Sequence, residues 1–262
     1  MIYKDLTNKS YHSRPEISST AVKTVAKQSV AHWVGAERKE SAAMALGSAV
    51  HSLCLEPHLN EVVRGPETRR GNAWKDAVAK ATLANEDAIV LPEAEFDKAK
   101  AIADSARAHP VMAEYLASEH TKIEMSIALD DPDHGFGIRA RPDIYNADNG
   151  MMIDLKTTID ASPRGFERQA FQYGYHIQAA FYERVLKLEG LEVNGFGFLA
   201  VETTAPYATC FHWVSSDLME LGRKECDLAM AKIKAYQDTG IATTGWPEEV
   251  TMHAPAWALA DI

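Results

Sequence analysis

The sequence predicts a mixed α/β fold: a hairpin-rich mixed β-sheet with helices before and after it in the chain. Three observations carry that reading. Apolar residues recur at helical spacing up to about residue 118 and again after about residue 160. Between them, residues 122–158 combine strict alternation, β-branched residues and turn signals. No repeat, low-complexity tract or long Gly/Ser/Pro-rich linker divides the 262 residues. One domain over 1–262 is therefore expected, with a helical part at about 1–118 and the sheet with its flanking helices at about 119–240.

The elements follow in order. Ser18 or Ser19 can cap a helix that carries Val22, Val25, Ala26, Val30 and Trp33 on one side. A second helix covers Ala42 to Leu55 and is ended by Pro57; its small residues (SAAMALGSAVH) suit close packing. From Val62 to Lys80 the chain reads as basic and irregular, with Arg64, Arg69, Arg70, Lys75 and Lys80 interleaved with Gly65, Pro66, Gly71 and Trp74. A helix follows Pro92 to about Ala108, and a shorter one follows Pro110. KIEMSIAL, from Lys122, reads as a strand, DDPDHG as a solvated turn and FGIRARPDIY as a second strand. NADNG, with Asn149-Gly150, is a hairpin turn into a third strand, MMIDLKTT. A long helix from Pro163 to Leu188, strands at Gly195–Glu202 and Thr209–Val214, and a final helix at Ser216–Gln237 complete the α/β pattern.

Composition excludes several classes. No apolar run approaches the ~18–20 residues of a membrane span, and the amino terminus lacks the apolar core of a secretory signal. A cytoplasmic protein without a membrane partner is expected. Cys54, Cys210 and Cys226 are too few and too widely spaced for a disulfide framework or a zinc or iron–sulfur cage. The net charge of −10 argues against a polyanionic partner, but it is unevenly spread. Residues 1–80 hold 12 Lys/Arg against 8 Asp/Glu, whereas the remainder holds 15 against 29. An acidic body with a basic first third can still bind nucleic acid locally.

The chemistry sits around the hairpin. Asp154 and Lys156 are two apart on the third strand, so they share one face while Ile153 and Leu155 take the other. The NADNG hairpin can bring Asp143 of the preceding strand beside Asp154. Two carboxylates and a lysine converging on a sheet suit a divalent cation with hard oxygen ligands and the in-line displacement of a phosphoryl group. The bland alternative is an Asp154–Lys156 surface ion pair with Asp143 unrelated. The apolar strand and the hairpin to a second aspartate favour the site.

PD-I at 142–144 followed by D-L-K at 154–156 resembles the signature of the PD-(D/E)XK nuclease superfamily. Gln178 and Tyr182, four apart in FQYGYHIQAAFYERVL, resemble the Q-x-x-x-Y motif of its RecB-like branch, and Gly47 with His51 in ALGSAVHSLCLEP resembles its G-x-x-x-H segment. With YHSRPEISST, RRGNAWK and GYHIQAAFY, these segments are most similar to RecE-type 5′→3′ DNA exonucleases and span the chain from Tyr11 to about Tyr182.

That resemblance implies a restriction-endonuclease-like (PD-(D/E)XK) core and a Mg²⁺-dependent exonuclease that degrades one strand of linear duplex DNA to leave 3′ single-stranded tails. It implies metal ligation by His51, Asp143, Asp154 and the Leu155 carbonyl, with two Mg²⁺ ions and Mn²⁺ as a substitute. Lys156 would position the attacking water, and Gln178 and Tyr182 would line the site. Glu124 would approach the metals, or else be an exposed strand residue. Ser18 and Ser19 would hold a terminal phosphate, and Arg69, Arg70 and Lys75 would contact the DNA backbone; helix capping and a solvated loop are the respective alternatives. Partners implied are double-stranded DNA ends, a RecT-like single-strand annealing protein, and further copies of the chain in a trimeric or tetrameric ring. Two rival readings are a PD-(D/E)XK endonuclease and a catalytically inactive DNA-binding module of the same fold.

Overall fold

The computed structural model describes residues 1–3, 6–37, 41–59 and 61–254. In chain order, β1 is Ile2–Tyr3, α1 Asn8–Ser13, β2 Ile17–Ser18, α2 Ser19–Lys27, α3 Val30–Val34 and α4 Ala42–Leu55. A single 3-10 turn at Pro57–Leu59 leads to β3 Val62–Arg64, α5 Gly71–Ala84, β4 Ile89–Leu91, α6 Glu93–Ala108 and α7 Pro110–Ala117. Then come β5 Thr121–Ile123, β6 Ser126–Asp131, β7 Phe136–Ala140, β8 Ile144–Asn146 and β9 Met151–Thr158. The chain continues through α8 Pro163–Gln172, α9 Tyr175–Leu188, β10 Gly195–Glu202, β11 Thr209–Trp213 and α10 Ser216–Thr239.

The principal sheet has the order β11-β10-β9-β8-β5, so β9 is its central strand. β9 and β10 are parallel, and the other pairs are antiparallel. Alternate residues of β9 feed two cores. Met152 joins Val22, Val25, Ile177, Phe181, Met230 and Ile233, which come from α2, α9 and α10. Ile153 and Leu155 join Val50, Cys54, Ile102 and Met112, from α4, α6 and α7. Each such side chain, fully buried, stabilises the fold by roughly 1.5–3 kcal/mol. The central strand is thereby clamped between two helical layers. A mixed sheet with helices on both faces is the α/β architecture expected from the sequence.

The largest departure concerns the strands expected at 122–129 and 136–145, the first of which also runs on to Asp131. Each is one run in the sequence and two in the structure. β6 and β7 lie in a second sheet, β1-β6-β7-β2, whereas β5 and β8 lie in the principal one. The chain crosses between sheets at Glu124–Met125 and back at Arg141–Asp143. Pro142 cannot donate to a ladder, which helps end β7. Glu124 adopts φ +49°, a left-handed backbone uncommon outside glycine, and its N–H donates to the Asp143 carbonyl at 3.0 Å. Both crossovers therefore occur side by side.

Other corrections are local. The 62–80 stretch is not irregular: it contains β3, which pairs with β4, and most of α5. Gly174, at φ +67°, breaks the long helix expected over 163–188 into α8 and α9. The helix expected to carry Val22 to Trp33 stops at Lys27 as α2, and Ser29 caps a separate α3 by accepting from the His32 N–H. Ser18 stands at the amino end of α2 without a side-chain capping bond. The hairpin turn is as expected. Asn146 Oδ1 accepts from the Asp148 and Asn149 amides, and Gly150 (φ +66°) passes so close to the Glu192 carbonyl that a Cβ there would lie 3.0 Å from it. Among the described residues no helix is long and apolar enough to cross a membrane.

Candidate active site

The two crossovers and the central strand build one cluster of titratable groups. At the end of the β8–β9 ladder, where Ile144 faces Ile153, the next pairing is made by a side chain: Asp143 Oδ2 accepts from the Leu155 amide at 2.7 Å. That bond holds the Asp143 carboxylate against β9. Asp154 and Lys156 project from the opposite face of β9 to Ile153 and Leu155, and Lys156 Nζ lies 2.5 Å from Asp154 Oδ2. Gln178 of α9 donates from Nε2 to Asp154 Oδ1 at 2.5 Å. From the other helical layer α4 supplies His51, whose Nδ1 is 3.4 Å from Asp143 Oδ2. Glu124 completes the group: His51, Glu124 and Asp143 each offer a ligand atom, all within 4.8 Å of one another. α4 packs on β9 at Gly47, where a Cβ would meet Thr157 Oγ1 at an ordinary 3.5 Å, so sterics there do not require glycine.

The electrostatics are those of crowded, buried acids. Burial raises the Asp143 pKa to about 6, with the Asp154 charge adding to it and His51 and Lys156 opposing it. Burial likewise pushes Glu124 well above the usual carboxylate range, with Asp143 adding to the shift, although Arg141 ion-pairs with it at 2.8 Å. Burial disfavours the Lys156 ammonium, but Asp154 and Asp143 more than offset this, and its pKa stays above the ordinary value. Asp154 Oδ2 is buried and has no well-directed hydrogen bond despite the nearby ammonium. Ion-paired with Lys156, that oxygen still has a lone pair free for a further ligand. Together with the oxygen-rich donor set, it fits a hard divalent cation.

The remaining sequence candidates are placed as follows. Tyr182 is buried one turn beyond Gln178, and burial drives its pKa well up, with Ser19, the buried first residue of α2, opposing the shift. Leu155 is fully buried, with its amide held by Asp143. Arg69 is taken up by Glu95, with Nη2 to Oε2 at 2.7 Å, and lies over Trp74. It also lines a cleft of about 700 Å³ with Lys9, His12 and Ser48, the last of these one turn before His51. Arg70 and Lys75 are exposed at the start of α5. No described hydrogen bond or ion pair links Arg69, Arg70 or Lys75 to the carboxylate cluster.

Three neighbours of the cluster escaped the sequence reading. Lys23 of α2 donates to Gln178 Oε1 at 3.2 Å. Tyr175 lies under both lysines, 4.9 Å from Lys156 Nζ and 5.5 Å from Lys23 Nζ. Arg141 pairs with Glu124 and stands over Tyr11. The available signal for Lys23 was a cation four residues after Ser19 on an otherwise apolar-facing helix.

The sequence matches the PDDEXK-like domain of unknown function (DUF3799) over residues 15–246. The chain belongs to that family. Its fold is the PD-(D/E)XK-like nuclease fold, and the match contains every residue of the cluster. No curated protein matches the sequence. Among solved structures, a protein of Eubacterium rectale provisionally described as an exonuclease superposes with a TM-score of 0.63 at 14% identity, covering 98% of this chain and 99% of that one. A phage-related exonuclease from Haemophilus somnus 129PT aligns with a TM-score of 0.36 at 12% identity, over 86% of this chain and 96% of that one, too distant to bear on the argument.

Proposed function

We propose that the protein is a Mg²⁺-dependent 5′→3′ exonuclease acting on the ends of linear double-stranded DNA. The observation that supports this most is the convergence of Asp143, Asp154 and Lys156 on the central strand of a PD-(D/E)XK-like fold, with Lys156 ion-paired to Asp154. Asp143, Asp154 and His51, with Glu124 beside them and the Leu155 carbonyl as an added donor, would hold Mg²⁺ or Mn²⁺. The cation would supply activation of water and neutralisation of charge at the phosphate. Lys156 would orient the attacking water and stabilise negative charge developing on the phosphate. Gln178, fixed on Asp154, would present its amide to the cleaved strand. A groove of about 660 Å³ at the carboxyl end of β9, lined by Leu46, Thr157 and Gln169 with Lys98 and Arg168 set among Glu95 and Asp160, offers room for that strand. The polarity, the 3′-tailed product, a ring of copies and an annealing partner come from the RecE-type resemblance.

Digestion of end-labelled linear duplex with Mg²⁺, following each strand separately, tests this reading. Shortening of one strand from its 5′ end, with covalently closed circles spared and EDTA stopping the reaction, is expected. Nicked circles would instead make the chain an endonuclease. No metal-dependent release from any substrate would leave a DNA-binding module.

A further inference from the structure

Gln178 sits between two groups of opposite character. On one side Asp154 Oδ1, a carboxylate oxygen, can only accept a hydrogen bond; on the other Lys23 Nζ, an ammonium, can only donate one. The two ends of the amide are therefore not interchangeable, and Lys23 dictates that Nε2 faces Asp154. Lys23 is also an unusual cation. Among the described residues no carboxylate lies within ion-pair distance of it, and it shares the Tyr175 ring with Lys156. Burial lowers its pKa to about 8, and the like charge of Lys156 adds to this while Asp154 opposes it. At neutral pH it is still largely protonated. A cation so placed, with its local charge unmet by protein, invites an anion from outside.

We propose that Lys23 belongs to the cleavage machinery, orienting the Gln178 amide and meeting one backbone phosphate of the bound strand with its ammonium. This rests on the nuclease reading above. Lys23 is thus a second cation across Tyr175 from Lys156, and its chemistry recognises a phosphodiester whatever the base sequence.

The test uses the full chain with Lys23→Met, Gln178→Leu and the double variant, each first checked for wild-type thermal unfolding. Lys23→Met should lower kcat on linear duplex at least 10-fold. The double variant should cut no more than about threefold below the weaker single variant, because both changes break one unit. Binding of a short duplex, measured with Ca²⁺ in place of Mg²⁺, should lose about one unit from its salt dependence in Lys23→Met, the signature of one phosphate contact. A merely structural lysine would not change that slope. Full activity in Lys23→Met, multiplicative losses in the double variant, or an unchanged salt slope would each overturn the assignment. If the wild-type chain itself neither binds nor cuts DNA, the nuclease reading fails and this inference falls with it.

Discussion

Two buried acidic clusters in this molecule have opposite fates. Asp131, fully buried at the end of β6, accepts from Arg184 Nη2 at 2.8 Å and from the amides of Asp133 and His134. Burial alone would raise its pKa, yet the Arg184 hydrogen bonds hold it at about 2. Asp143 is buried and Glu124 partly so; His51, Lys156 and Arg141 offset this only in part, and both pKa values rise. The first cluster is completed by the fold. The second is completed only in part, which is what the proposed cation would make good.

That contrast can be broken by mutation. The largest effect should fall on catalysis. Lys156→Ala should lower the rate of cleavage on the order of 1,000-fold, about 4 kcal/mol of transition-state stabilisation, with DNA binding largely kept. Asp154→Ala should in addition weaken metal binding. Either variant digesting linear DNA at near-normal rate would contradict the roles assigned to them.

Next in size is stability. Asp131→Ala removes the buried partner of Arg184, leaving it only the exposed Asp133 and Asp227, and should cost on the order of 3 kcal/mol, read by urea unfolding. Asp143→Asn removes a charge that its neighbours offset only in part and should make the metal-free protein more stable at neutral pH by about 1 kcal/mol or more. Equal losses in the two variants would erase the distinction between the clusters.

A smaller, sharper signature lies in pH. Asp143 in the metal-free fold keeps a proton that an unfolded chain releases near pH 4, so its contribution should fall as pH rises from about 4 to about 6. Asp131 behaves oppositely: its stabilisation is present above about pH 4 and is lost as pH falls towards 2. Unfolding free energies of wild type and Asp143→Asn across this range should converge at low pH and separate above about 5. Parallel curves would count against the Asp143 environment described here.

Some of this was legible from the sequence and some was not. The Asp154–Lys156 face followed from the period of a strand, and the hairpin to Asp143 from Asn149-Gly150, because both are local. The helices at 42–55, 93–108 and 110–117 were legible for the same reason. The sheet-to-sheet crossovers were not, since nothing within KIEMSIAL or FGIRARPDIY says which strands will accept its two halves. Asp131 reads as one acid in a polar turn; its burial depends on Arg184, 53 positions away. Lys23 depends on Gln178, 155 positions away. Residues whose meaning is set by a distant partner are those a single sequence hides.

The claim beneath all of this is that the carboxylate cluster awaits a divalent cation. Titrating Mn²⁺ and Mg²⁺ into the metal-free protein while following thermal unfolding and heat of binding tests it directly. The account predicts saturable binding, stabilisation of about 2.7 kcal/mol at one hundred times Kd, and loss of both in Asp143→Asn. Absence of binding in the wild type, or equal binding in Asp143→Asn, would contradict it.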